Sequence, residues 1–165
     1  SEICTMDWHT RHDAGASFAE NAAALIADHP QYEAEIRAWG DRWMEMFDGY
    51  VDGTAELIER LDARGVPLYA LSNMPSDPWE EMLAHFEVLQ RFRHVVISGD
   101  LKIVKPDPAI YLHALEAIGR PAPETVLFID DRETNIAAAD VLGFATHHFT
   151  GAARLEGALE AHGLL

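Results

Sequence analysis

Three clusters of polar residues each follow a short apolar run, and their types suggest chemistry. Ser72-Asn73 follows Val66–Leu71; Ser98-Gly99-Asp100 and then Lys105-Pro106-Asp107 follow His94–Ile97; Asp130-Asp131 follows Thr125–Ile129. Taken singly, two of these have ordinary explanations. Ser-Asn after a strand is a common turn or helix cap. Asp107 before Pro108 reads as an N-cap with proline at the first helical position, which leaves Lys105 as a surface charge. The acidic pair is harder to account for. Two carboxylates at the end of a buried strand repel each other and lose hydration, which is costly unless a cation compensates. Oxygen-only donors suit Mg²⁺, which keeps several waters and needs only one or two protein carboxylates.

These residues need elements to bring them together. From residue 53 the pattern alternates helix and short apolar run. Helices are expected over Thr54–Ala63, about Pro78–Phe86, about Ala109–Ile118, Thr134–Leu142 and Ala152–His162, with Gly65, Gly119 and Gly143 closing three of them. Strands are expected at Val66–Leu71, His94–Ile97, Thr125–Ile129 and Phe144–Phe149. Such alternation implies βαβ units, and hence an α/β fold with a doubly wound parallel sheet. In an open parallel sheet ligands bind beyond the carboxyl ends of the strands, which is where the three polar clusters fall. Residues 1–50 have no β-branched run. Helices are expected over Phe18–Ala27 and Tyr32–Phe47, separated by Pro30, the second with Ile36, Trp39, Trp43 and Met46 or Phe47 on one face. The domain reading is a helical segment 1–50 followed by an α/β core 51–165.

Composition limits the partners. The 165 residues include 28 acidic and 12 basic side chains, a net charge of −16, and protonating all nine histidines would still leave −7. Such a field repels nucleic acid and anionic membrane. No apolar stretch approaches a membrane span and no signal peptide is evident, so a soluble, cytoplasmic protein is expected. The lone Cys4 excludes an internal disulfide framework. The opening Ser1-Glu2-Ile3 lacks an initiator Met and reads as cut from a longer protein.

Ala70-Leu71-Ser72-Asn73, Val104-Lys105-Pro106-Asp107-Pro108 and Phe128-Ile129-Asp130-Asp131-Arg132-Glu133-Thr134-Asn135 resemble the second, third and fourth motifs of the haloacid dehalogenase-like (HAD) hydrolase superfamily. They stand in the family's order, 33 and 26 residues apart from Ser72 to Lys105 to Asp131. The resemblance covers about residues 50–150 and implies a HAD-like Rossmannoid core, with residues 1–50 as a small helical cap. It also implies a Mg²⁺-dependent phosphoric monoester hydrolase that works through an aspartyl-phosphate on a small phosphorylated metabolite. On that reading Ser72, with neighbouring backbone N–H groups such as that of Asn73, hydrogen-bonds a phosphoryl oxygen. Lys105 pairs with the phosphate and the nucleophile. Asp131 binds Mg²⁺ directly, Asp130 binds through water or supports it, and Asn135 steadies the cluster. Trp8, Arg11 and Asp13 are candidate contacts from the cap to the leaving group; a packed tryptophan at a helix junction is the alternative for that stretch.

The family's first motif, an Asp-x-Asp pair after an apolar strand, has no counterpart here. Asp7 and Asp13 lie in a polar, cap-like stretch. About 35–40 upstream residues are therefore expected to be absent, and the chain as written is expected not to turn over. If so, the strands ending at Ser72 and Asp130 are separated by a gap and do not pair. Two other functions remain open: a 2-haloacid dehalogenase, which uses no metal and carries serines where Asp130-Asp131 stand, and a non-catalytic HAD-like binding domain.

Overall fold

Gly65, Gly119 and Gly143 all adopt positive φ just beyond a helix end, the left-handed conformation that glycine enters without penalty. They punctuate a computed structural model that describes residues 3–165; Ser1 and Glu2, with the opening that lacks Met, lie outside it. In chain order the elements are α1 (Met6–Asp13), α2 (Phe18–Asp28), α3 (Glu33–Asp41), α4 (Thr54–Ala63) and β1 (Tyr69–Ser72). There follow α5 (Trp79–His85), β2 (His94–Ile97), α6 (Ser98–Leu101), α7 (Pro108–Ala117), β3 (Leu127–Asp130), α8 (Glu133–Val141), β4 (Ala145–His148) and α9 (Ala152–Ala161). Short 3₁₀ turns join several of them.

Most expected elements form, and the differences have local causes. The strand expected from Val66 begins only at Tyr69, because Pro67 has no N–H to give a ladder. The helix expected over Tyr32–Phe47 stops at Asp41 and resumes as a 3₁₀ turn at Trp43–Met46. Gly40, a weak helix former, lies there against the Phe18 ring, 3.1 Å from where a Cβ would stand. The apolar stripe therefore ends early: Ile36 and Trp43 are buried, but Met46 and Phe47 are exposed. The stretch read as polar and cap-like is instead helix α1, started by Thr5, whose hydroxyl accepts the Trp8 N–H at 3.2 Å. Its inward face is Trp8 and His12, four residues apart, and a histidine does not register as apolar.

The described residues form two compact units. The first takes in the chain up to Asp48 together with Ser72–Phe86 and Ile97–Val104. Its helical part packs Trp8, Ala22 and Ile36 with Leu25, Ile26 and Trp39. Ser17 and Glu20 form a reciprocal capping box at the start of α2.

The second unit takes in Gly49–Leu71, Glu87–Val96 and Lys105–Leu165. Here β3 runs parallel to β4, with Leu127 opposite Ala145 and Asp130 opposite His148. Successive strand residues point to opposite faces. Leu127 packs with Leu57 and Leu61 of α4 and Leu155 and Leu159 of α9, while Phe128 meets Tyr111 of α7 edge to face at 5.3 Å. Helices thus cover both faces, as a parallel strand pair requires.

The strands make two half-sheets, β1 with β2 and β3 with β4. Among the described residues β1 and β3 do not pair. An apolar cavity of about 590 Å³ is lined by Ala70 and Leu71 of β1, Val96 of β2, Tyr111 of α7, and Phe128 and Ile129 of β3. The expected gap between the strands ending at Ser72 and Asp130 is present.

Candidate active site

The loop that carries Lys105 is fixed from its far end. Asp107 caps α7, its Oδ1 accepting the Ala109 N–H at 2.9 Å, with Pro108 at the first helical position as expected. Lys105 then extends so that Nζ donates to the Leu71 carbonyl and to Asp130 Oδ2, each at 2.7 Å. The ammonium also stands 5.7 Å from the centre of the Phe128 ring, where the π-face favours a cation.

Asp130 ends β3 and is buried. Its Oδ1 accepts the Arg132 N–H and the Asn135 side-chain amide, both at 2.9 Å. The strand must therefore turn at once into α8, whose first turn places Asn135 over the carboxylate. Asn135 is itself held, because the Tyr111 hydroxyl donates to its carbonyl at 3.0 Å. Burial alone would push the Asp130 carboxyl upward. The Lys105 ammonium, the Arg132 N–H and the Asn135 amide outweigh it, so the group lies below its ordinary value and stays ionised. Burial, with the Asp130 charge nearby, pushes Tyr111 up to about 12.

Asp131 differs from its neighbour: its side chain is exposed. Its backbone is anchored, since the Nε2–H of His148 on β4 donates to its carbonyl at 3.0 Å. The two carboxylates therefore differ, Asp130 being neutralised in place and Asp131 facing water. Among the described residues no three His, Cys, Asp or Glu side chains group as metal ligands. The donors present nonetheless suit Mg²⁺, a hard cation that takes one or two carboxylates and fills its shell with water or phosphate oxygens.

Ser72 is the last residue of β1 and Asn73 follows it, half-buried, in the first unit. Of the cap candidates, Trp8 is packed, with Nε1–H donating to the Asn21 carbonyl at 3.2 Å and its ring against Trp39 and His12. Arg11 is exposed and lines a hollow of about 200 Å³ with Asp7, Thr5 and Asp28. Asp13 ends α1 and is half-buried. Sequence reasoning missed Tyr111 and Phe128. Both lie on apolar faces, where nothing in the sequence distinguishes a residue that supports charged groups from one that only packs. Among the described residues no helix is long and apolar enough to cross a membrane.

This arrangement can be set beside known proteins. The sequence profile of haloacid dehalogenase-like hydrolases matches residues 5–143. An (S)-2-haloacid dehalogenase from Pseudomonas putida is 32% identical over 95 residues, which are 58% of this chain and 41% of that protein. A sesquiterpene phosphatase from Aspergillus oryzae is 30% identical over 94 residues, 57% of this chain and 47% of that protein. The chain thus spans about half the length of these curated relatives. Among solved structures, an HAD family enzyme from Bacteroides thetaiotaomicron, an Asp-to-Ala mutant in complex with magnesium and inorganic phosphate, is 22% identical with a TM-score of 0.67, covering 87% of this chain and 75% of that one. A predicted HAD-like family hydrolase from Porphyromonas gingivalis is 23% identical with a TM-score of 0.71, covering 94% of this chain and 78% of that one. At these identities the structures establish the fold, a doubly wound α/β type with parallel strands; the profile, which spans most of the chain, establishes the lineage. The chain belongs to the haloacid dehalogenase-like hydrolase family.

Proposed function

We propose that this chain carries the lysine, the hydroxyl and the acidic pair of a Mg²⁺-dependent phosphoric monoester hydrolase acting on a small phosphorylated metabolite through an aspartyl-phosphate. None of the residues assigned here is the nucleophile. The observation that carries the reading is the pairing of a buried, neutralised Asp130 with an exposed Asp131 at the end of β3. Asp131 offers a free carboxylate to a hard cation. Bound there, Mg²⁺ would supply positive charge against the phosphoryl oxygens.

The chain's own residues have separable tasks. Lys105, held by Leu71 and Asp130, presents its ammonium without the entropy cost of ordering a free side chain, and would offset charge on the phosphate and the attacking carboxylate. Lys105, the Arg132 N–H and Asn135 together keep Asp130 ionised and in place, so that it can act as a water-mediated ligand or support. Ser72 and the Asn73 N–H would donate to a phosphoryl oxygen. Arg11 and Asp13 would contact the leaving group; the packing of Trp8 supports the alternative reading of that residue as part of a helix junction.

Both dehalogenases and phosphatases occur among the relatives. The acidic pair favours phosphorus over carbon as the centre attacked, because a 2-haloacid has no phosphoryl charge that a metal would need to offset. The test is hydrolysis of an aryl phosphate by the whole protein. Activity should require Mg²⁺, vanish in chelator and fall by at least about 10²-fold in Asp131→Asn. Undiminished activity in chelator would refute the proposal.

A further inference from the structure

We infer that Ser98 is a positioning residue for the phosphoryl-binding loop that begins at Ser72, an assignment that rests on the reading of Ser72 and Asn73 given above. Ser98 opens α6 directly after β2, and its side chain is fully buried. Its Oγ accepts the Met74 N–H at 3.0 Å and donates to the Met74 carbonyl at 3.3 Å. The Gly99 N–H donates to that same carbonyl at 3.2 Å. Both backbone polar groups of Met74 are therefore tied to the residues that close β2, although the two segments lie 24 positions apart in sequence.

Gly99 shows how close this approach is. Its backbone is ordinary, with no positive φ, yet a Cβ there would stand 2.9 Å from the Ser76 nitrogen and 3.0 Å from the Met74 oxygen. Glycine is needed because another stretch of backbone lies against it. Met74 and Pro75 are buried at the same place. Alanine would fill the position of Ser98 equally well by volume. What the hydroxyl adds is a partner for the buried Met74 N–H, which would be costly to leave unpaired, since the Met74 carbonyl keeps the Gly99 N–H.

The consequence is a choice of donors. With its N–H turned to Ser98, Met74 is withheld from an anion, and the donors proposed above, at Ser72 and Asn73, precede it in the loop. Groups that stabilise developing charge act best when their orientation is fixed beforehand. Ser98 touches no substrate; it sets the peptide that follows the two contacts.

The test uses the ¹⁵N-labelled chain, with inorganic phosphate as the probe. In the wild type, phosphate should shift the Ser72 and Asn73 amide resonances and leave Met74 unmoved, and the Met74 amide should be protected from hydrogen exchange. Ser98→Ala should speed Met74 exchange by at least about 10-fold and weaken phosphate binding by about 10-fold, while Ser98→Thr, which keeps the hydroxyl, should restore both. Should Ser98→Ala fail to fold, Gly99→Ala displaces the same loop with Ser98 intact and should weaken phosphate binding likewise. Unchanged Met74 protection and phosphate affinity in Ser98→Ala, or in Gly99→Ala where that variant is used, would overturn the assignment of Ser98 alone. Absence of any phosphate-induced shift at Ser72 or Asn73 in the wild type would overturn the phosphoryl reading itself, and Ser98's role with it.

Discussion

Lys105 Nζ and Asp130 Oδ2 meet at 2.7 Å with both side chains almost wholly out of water. Removing one partner would leave the other charge buried and unpaired, at a cost of about 3–5 kcal/mol. Lys105→Met should lower the unfolding free energy obtained from urea titration by that amount at pH 7. The folded-state pKa of Asp130 is depressed, so its stabilisation is in force above the unfolded value of about 3.9 and is lost as pH falls through the folded-state value. The difference between wild type and Lys105→Met should therefore narrow below about pH 4. A constant difference from pH 7 to 3 would show that the pair does not hold the carboxyl down.

Tyr111 reports on the same cluster from the alkaline side. Its pKa is raised to about 12 by burial and by Asp130. The unfolded chain loses this proton first, near about pH 10, so stability should be complete below that point and decline as pH rises toward 12. Tyr111→Phe should remove this decline and cost about 1 kcal/mol at pH 7 through the lost bond to Asn135. Thermal midpoints between pH 8 and 11 check both.

His12 governs the helical part in acid. The Asn21 side-chain amide donates to the Trp8 carbonyl and to His12 Nε2, each at 2.9 Å, so His12 must accept and remain neutral at that nitrogen. Burial lowers its pKa. A histidine kept neutral in the fold but free to charge when unfolded costs stability as pH falls below about 6.5. His12→Phe should flatten the dependence of the melting midpoint between pH 8 and 5 relative to wild type. Parallel curves would contradict the assignment.

The cavity between the half-sheets also has a measurable consequence. Backbone N–H groups on the unpaired edges of β1 and β3 lack the ladder that joins β3 to β4. Their amides should exchange at least about 10²-fold faster than the ladder amides, at rates set by local opening. Uniform protection across both edges of β3 would mean that the strands close the gap in solution.

How much of this was legible beforehand follows from which signals are local. Asp107-Pro108 and the closing glycines announce helix ends through their own backbone preferences, and β2 and α4 have the bounds expected. Helix α1 was hidden because half of its buried face is a histidine. The break after Asp41 was hidden because Gly40 meets Phe18, a contact more than twenty residues distant in the chain. At the site, the acidic pair Asp130-Asp131 stood out by type, whereas Lys105 and Asn135 were given roles only by the family resemblance. The difference between the two aspartates was not legible, since it depends on which one the Lys105 ammonium, the Arg132 N–H and the Asn135 amide reach. Tyr111 and Ser98 act through backbone carbonyls and amides, and such contacts leave no compositional trace.

The most direct measurement is a parallel assay of the whole protein for the two bonds this family's relatives break. With Mg²⁺ present, inorganic phosphate should be released from a small phosphate monoester, no halide should be released from a 2-haloacid, and Asp131→Asn should abolish the first reaction. Halide release that persists in chelator, with no phosphate released from the monoester, would contradict the account.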